Sequence, residues 1–367
     1  MHSTPLASPS ATAHTPYSIN VILMTLHATE LARDIVEAGL RAAARCPGLC
    51  FTVAYGGQDA DHGAWLQSSI DQAVEGGAEA RLIRDVGILT RLRSAFDASK
   101  TWLLFVADDD PFSLNYLTGL ARRSLEAGPE VATIAPTYYL GVAGNQTLLR
   151  RVEPMQGANA VERLTHFLAN GSQQGIFYYA LQRSVLVDTW LAYIETRPYT
   201  PSYLDQLLAT WCTCHGNRMV VDEASVQLRD ESGWVGFAAC VRSDAKFYPL
   251  PAMTLFHELF WSADISRLLR HHPDFDALLP LLRKWMDARL TALVTHFDQR
   301  REVLQLPPDD EHKLMLHAVA TTLRWVKGIS AGPSFGAGLA SLEGLAREVE
   351  SAFLERLPAA TTTQVAA

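Results

Sequence analysis

Three aspartates stand together at Asp108, Asp109 and Asp110, between the apolar run TWLLFVA (101–107) and Pro111. A run that short and that apolar reads as a buried strand, which sets the carboxylates at its C-terminal end. Adjacent carboxylates repel one another, so this end of the strand favours a positive partner. Asp-x-Asp suits a hard divalent ion, Mn²⁺ or Mg²⁺, because such ions take oxygen ligands and also bind substrate phosphates. The competing reading is structural: Asp110 or Ser113 caps the helix that follows. The spacing alone leaves both open.

The elements around this run decide where it sits. Apolar stretches and amphipathic ones alternate from Ser18 onward. INVILMTL (19–26), LCFTVAYGG (49–57), EARLIRD (79–85), TWLLFVA (101–107) and VATIAPTYYLG (131–141) read as strands. Residues 29–46, 63–77, 87–100 and 115–128 read as helices, the first with Thr29 as N-cap. Strands alternating with helices imply an α/β fold with a mostly parallel sheet covered on both faces. Ligands of such sheets bind at the C-terminal ends of the strands, where the aspartates lie.

Residues 142–260 are less regular, with strand-like pieces at 175–182 and 217–224 and a helix near 203–213. After about residue 261 helical periodicity dominates. The expected organisation is a disordered leader (1–17), a catalytic domain (18–260), a helical C-terminal region (261–357) and a disordered tail (358–367).

Composition narrows the function. The chain has 367 residues and a formal net charge of -8. No block of lysine or arginine stands out, which argues against nucleic acid as a partner. Five scattered cysteines do not form a disulfide framework and fit a reducing compartment. Nothing reaches the roughly 18 apolar residues of a membrane span, and no signal peptide is evident. A soluble, cytoplasmic protein is expected. Cys-x-Cys-His (212–215) lacks the second half of a zinc site, and helical spacing puts its cysteines on different faces.

The layout DVGILTRLRSAFDASKTWLLFVADDD (85–110) resembles the nucleotide-sugar glycosyltransferases of the GT-A fold, in particular the large inverting family with one Asp-x-Asp motif. Asp85 and Gly87 match that family's Asn-x-Gly, with Asp for Asn, and Asp108 and Asp110 match its metal pair without a gap. Asp109 is the variable middle residue. The intervening helix offers Arg91 and Arg93 toward the nucleotide. Downstream, GSQQGIFYYALQRSVL (171–186) supplies Gly175 and Arg183, and TPSYLDQLLATWCTCHGNRMVV (200–221) supplies Asp205. The resemblance implies that Asp205 is the base that deprotonates the acceptor. Leu204 replaces the carboxylate that usually precedes it, and the first turn of a helix also favours an aspartate for its dipole alone. His257, or else His215, takes the place of a late metal-binding histidine.

The first two strands depart from the pattern. The first ends in LMTLHAT rather than Pro-x-(Tyr/Phe)-Asn, and the second in YGGQD rather than aspartates. Thr25, Tyr55 and Asp59 are expected to contact the nucleotide instead. Trp190, Tyr178, Tyr179, Trp211 and Trp234 are candidates for a sugar platform, although each also fits a core. The resemblance spans about residues 18–260. It implies a nucleoside-diphosphate sugar as donor, a saccharide or small-molecule acceptor, and Mn²⁺ or Mg²⁺ as cofactor. The helical region has no counterpart in it, which leaves packing, a partner surface or a homodimer through the C-terminal helices. Two other classes fit less well. A nucleotidyltransferase-like enzyme would carry an early glycine-rich loop that LMTLHATE lacks. A non-catalytic relative would act through the helical region.

Overall fold

The computed structural model describes residues 17–26, 28–85, 87–108, 110, 112, 114–142, 145–150, 154–169, 179–196, 204–229, 264–282 and 284–285. Its first half follows the sequence closely. The apolar runs become β1 (Ile19–Thr25), β2 (Leu49–Tyr55), β3 (Glu79–Arg84) and β4 (Trp102–Ala107), all joined in parallel. Helices α1 (Glu30–Arg45), α2 (Ala60–Glu75), α3 (Ile88–Ala95) and α4 (Leu114–Glu126) connect or follow them. Thr29 caps α1 as expected, its Oγ1 accepting from the Ala32 N–H at 3.1 Å. A side-chain oxygen there satisfies one of the helix's orphan N–H groups.

The sheet runs β3-β2-β1-β4-β7-β5-β6, with β8 beside β5. From β1 the chain winds outward to β2 and β3, then returns to place β4 on the other side of β1. The β1–β4 junction is therefore a topological switch point, where such sheets open a crevice at their C-terminal edge. The core strands are apolar throughout; Val21, Phe51, Val53, Leu103, Phe105 and Val106 are fully buried. Helix α1 packs closely on this layer. A Cβ at Gly39 would lie 2.1 Å from the Phe51 ring.

Polar bonds fix α3 under the sheet. The buried Asn20 Nδ2 donates to the Ala95 carbonyl at 2.7 Å, and Arg81 Nη2 donates to the same oxygen at 2.6 Å. Thr52 Oγ1 donates to Asn20 Oδ1 and accepts from Arg81 Nε. The last turn of α3 is thus satisfied internally, which holds the helix at one height.

The second half was less legible. β5 (Val131–Val142) turns back into β6 (Asn145–Arg150), a hairpin not anticipated from the sequence. α5 (Ala160–Ala169) and α6 (Ser184–Glu195) were not anticipated either. The strand expected at 175–182 is represented by the short β7 (Leu181–Arg183), antiparallel to β4. α7 (Leu204–His215) and β8 (Asn217–Arg229) occupy the expected places. Residues 264–269 and 275–282 are helical. They dock through Tyr193 Oη, which donates to Asp264 at 2.7 Å, and through His272 Nε2 against the Cys214 carbonyl at 3.1 Å. Among the described residues no helix is long and apolar enough to cross a membrane.

Candidate active site

The C-terminal ends of β1 and β4 are tied to each other at the aspartate run. Thr25 Oγ1 donates to Asp108 Oδ2 at 2.7 Å, and the Leu26 N–H donates to the same oxygen at 3.1 Å. Asp110 is held from the other side by Tyr179, whose Oη donates to Asp110 Oδ2 at 2.5 Å. Tyr179 is itself tightly placed. Its N–H donates to the Phe105 carbonyl at 2.7 Å, and its carbonyl accepts from Tyr116 Oη at 2.5 Å. Its φ is 70°, and no other non-glycine described residue has a positive φ. A bulky residue in that region is strained and persists only where its surroundings over-determine it. Three hydrogen bonds and a nearly complete burial, 2% exposed, provide that here.

Asp108 and Asp110 offer carboxylate oxygens, the ligand type of Mg²⁺ and Mn²⁺. Among the described residues no group of three or more His, Cys, Asp or Glu could hold a metal by itself. Two carboxylates fit an ion that keeps several waters and binds together with substrate phosphates. Asp109 and His257 lie outside the described residues, as does Gly175.

The neighbouring strand ends hold the other expected residues. Tyr55 Oη donates to the Asp59 carbonyl at 3.2 Å, and Asp59 Oδ1 caps α2 by accepting from the His62 N–H at 2.8 Å. Asp85 Oδ1 accepts from the Gly87 N–H at 2.8 Å and so shapes the entry to α3. Arg91, one turn into α3, is 4% exposed. A Cβ at Gly56 would fall 0.9 Å from its Nη1, so the glycine is what leaves room for this guanidinium. Arg91 Nε and Nη1 have no hydrogen-bond partner. Burial pulls its pKa down, and the Asp85 carboxylate pulls it back up.

Two arginines expected at the site lie elsewhere. Arg93 forks onto α6, with Nε and Nη2 on Glu195 at 2.7 and 2.8 Å and Nη1 on Asp188 at 2.7 Å. Those carboxylates raise its pKa. Arg183 pairs with Trp102 at the start of β4, six strand residues before Asp108. At about 3.3 Å per residue that is the opposite edge of the sheet. There Arg183 stacks on the Trp102 ring at 4.0 Å and donates to the Val131 and Gly128 carbonyls. The aromatic platform also needs correction. Trp190, Tyr179 and Trp211 are 0%, 2% and 4% exposed, and all three belong to the core. Tyr178 and Trp234 fall outside the described residues.

Asp205 sits in the first turn of α7, its Oδ1 accepting from the Gln206 N–H at 2.8 Å. Burial raises its pKa to about 6, against the weaker pull of backbone N–H groups. A carboxylate so perturbed is suited to take a proton near neutral pH. His215 Nδ1 donates to the Trp211 carbonyl at 2.9 Å, and its ring rests on the Trp211 and His272 rings. Cys212 and Cys214 are buried, and burial pushes the Cys212 thiol up to about 12.

One residue at this edge escaped the sequence reading. His62, in the first turn of α2, is 1% exposed, and neither ring nitrogen has a partner. Its signal was its place in the buried stripe His62, Leu66, Ile70, where an apolar residue is the ordinary choice.

No protein-family model matches the chain, and a comparison with curated proteins finds no match. Solved structures do match. The crystal structure of Staphylococcus aureus TarS 1–349 covers 92% of this chain and 91% of its own, with a TM-score of 0.53 and 12% identity. The chain shares its fold with TarS. Structures of TarS 1–349 in complex with UDP-GlcNAc and with UDP match at TM-scores of 0.52 and 0.50, with 14% and 13% identity. Each covers 92% of this chain, and 92% and 91% of its own. The α/β, GT-A-like class expected from the sequence is thereby shown, and at these identities the likeness to TarS concerns the fold.

Proposed function

We propose that the chain is a glycosyltransferase that moves a sugar from a uridine-diphosphate sugar to an acceptor hydroxyl. The observation that carries this reading is the Asp108–Asp110 pair at the β1–β4 switch point, each aspartate held by a hydroxyl from another element. The complexes of the TarS fold with UDP-GlcNAc and UDP support the donor class.

In this reading Asp108 and Asp110 would hold Mn²⁺ or Mg²⁺ together with the donor. When bound, the ion offsets charge on the departing diphosphate. Thr25 and Tyr179 keep the two carboxylates in place, so little reorganisation is needed when the donor arrives. Arg91 brings an unpartnered guanidinium edge to the end of β2, where it donates to the nucleotide. Asp205 takes the proton from the acceptor hydroxyl, which attacks the anomeric carbon from the face opposite the diphosphate and inverts the centre. A pKa raised to about 6 by burial suits a base that works near neutral pH.

Thermal shift with UDP, GDP, CMP and dTDP, each with and without Mn²⁺, tests the reading. A ligand that binds only the native state raises its stability. Stabilisation by UDP that needs Mn²⁺ is expected. A flat response to the whole panel contradicts it.

A further inference from the structure

Arg183 sits at the edge of the sheet opposite the aspartates, and its charge is left uncompensated there. Nε donates to the Val131 carbonyl at 2.8 Å, and Nη2 donates to the Gly128 carbonyl. Both partners are neutral, and the guanidinium forms no ion pair among the described residues. Burial pulls its pKa down, and the Glu130 carboxylate offsets that only in part. A half-buried cation held by carbonyls and one aromatic face still favours an anion.

A cavity of about 400 Å³ opens beside it, walled among others by Phe96, Lys100, Ser184, Val185 and Asp188. Helix α6 starts in the same wall. Arg183 is its N-cap residue and makes no side-chain capping bond. The Ser184 N–H is taken by the Thr101 carbonyl at 3.0 Å, which leaves Val185 and Leu186 at the open end of the helix. Such an end carries partial positive charge and suits an anion. Ser184 is an independent sign of a ligand. It is 4% exposed, and its Oγ has no hydrogen-bond partner. A buried hydroxyl in that state costs stability until something accepts from it. Lys100 adds a second cation. Its Nζ bonds Glu79 at 2.7 Å and the Gly48 carbonyl at 3.2 Å, so one of its three N–H groups remains. Asp188, the carboxylate in the wall, is held by Arg93 Nη1 at 2.7 Å.

We propose that this cavity is a binding site for a phosphoryl group, separate from the aspartate pair and independent of the donor. Ser184 Oγ, the first turn of α6, Arg183 and Lys100 come from different directions, which fits a tetrahedral oxyanion with several acceptor oxygens. The cavity is larger than one phosphate. Its apolar side, Phe96 and the 70% exposed Val185, leaves room for a small organic group on the phosphate. The ligand is therefore inorganic phosphate or a small phosphate ester.

Calorimetric titration of the full chain with inorganic phosphate and with phenyl phosphate tests this. Metal and nucleotide are left out, so the result does not depend on the glycosyl-transfer reading. Ionic strength is held constant with NaCl, because general charge attraction is screened alike in every sample. Wild type should bind phosphate saturably. Ser184→Ala removes an oxygen that has no partner, so it should keep the melting temperature while binding about tenfold more weakly. Val185→Asp puts a carboxylate at the open end of α6. It should hold or raise the melting temperature and abolish phosphate binding, whereas the uncharged Val185→Asn should keep it. Tighter binding of phenyl phosphate than of phosphate assigns the site to an ester, and equal binding assigns it to the free ion. Absence of saturable binding to wild type overturns the proposal. So does wild-type affinity in Ser184→Ala or Val185→Asp, or an equal loss in Val185→Asp and Val185→Asn.

Discussion

Thr25 Oγ1 lies 2.7 Å from Asp108 Oδ2, and this bond joins two strands whose residues are 83 apart in sequence. It ties Asp108 to the sheet rather than leaving it in a loose loop. A hydrogen bond to a charged group contributes about 1.5–3 kcal/mol. Thr25→Val should therefore lower unfolding stability by roughly that amount in urea titration and weaken Mn²⁺-dependent UDP binding. Thr25→Ser, which keeps the hydroxyl, should restore most of both.

Tyr179 does for Asp110 what Thr25 does for Asp108. Tyr179→Phe keeps the buried ring and removes only the hydroxyl, whose 2.5 Å bond aims one carboxylate oxygen. The expected loss in urea titration is again about 1.5–3 kcal/mol. The Mn²⁺ concentration giving half-maximal UDP binding should rise, as calorimetry at fixed UDP would show.

Asp205 carries a prediction in two directions. A folded-state pKa of about 6 against 3.8 for the ordinary carboxyl means that the folded protein binds the extra proton between those values. Stability then falls as pH rises from about 4 to 6 and is flat above. Asp205→Asn should remove that loss, so the variant is more stable at pH 7.5, by up to about 3 kcal/mol, with the gain vanishing near pH 4. Transfer should fail in the same variant while UDP binding persists. In wild type, kcat/KM should drop on the acid side with an apparent pKa near 6, read from initial rates across pH.

Packing has its own test. Gly39→Ala drives a methyl group toward the Phe51 ring, 2.1 Å away in the unrelaxed structure. Overpacking of this kind costs about 1–3 kcal/mol, which outweighs the gain of under about 1 kcal/mol from replacing a helical glycine. The melting temperature should fall without a change in UDP affinity.

The sequence carried the first half of the sheet well because each strand there is short, apolar and bounded by polar segments. Asp108 and Asp110 were legible for the same reason: they directly follow the apolar run of β4. Helices α5 and α6 were not. SVLVDTWLAYIE is apolar on nearly every side, since α6 is packed between the sheet and the segment at 264–269, and such a helix shows little periodicity. Arg93 and Arg183 were misplaced because residue type cannot say which way a long side chain turns; Glu195, Asp188 and Trp102 decide that in the fold. His62 was missed for a different reason. Its spacing said core, and only the absence of partners for its nitrogens marks it as something else. The helical region expected beyond residue 285, and the homodimer expected through it, lie outside the described residues.

The central claim is that Asp110 and Asp108 bind a divalent ion together with a uridine diphosphate. Calorimetric titration of UDP into wild type and Asp110→Asn, with Mn²⁺ and with EDTA, addresses it directly. The account predicts binding by wild type that EDTA abolishes, and no Mn²⁺-dependent binding by Asp110→Asn at an unchanged melting temperature. Equal UDP affinity in all four combinations would contradict it.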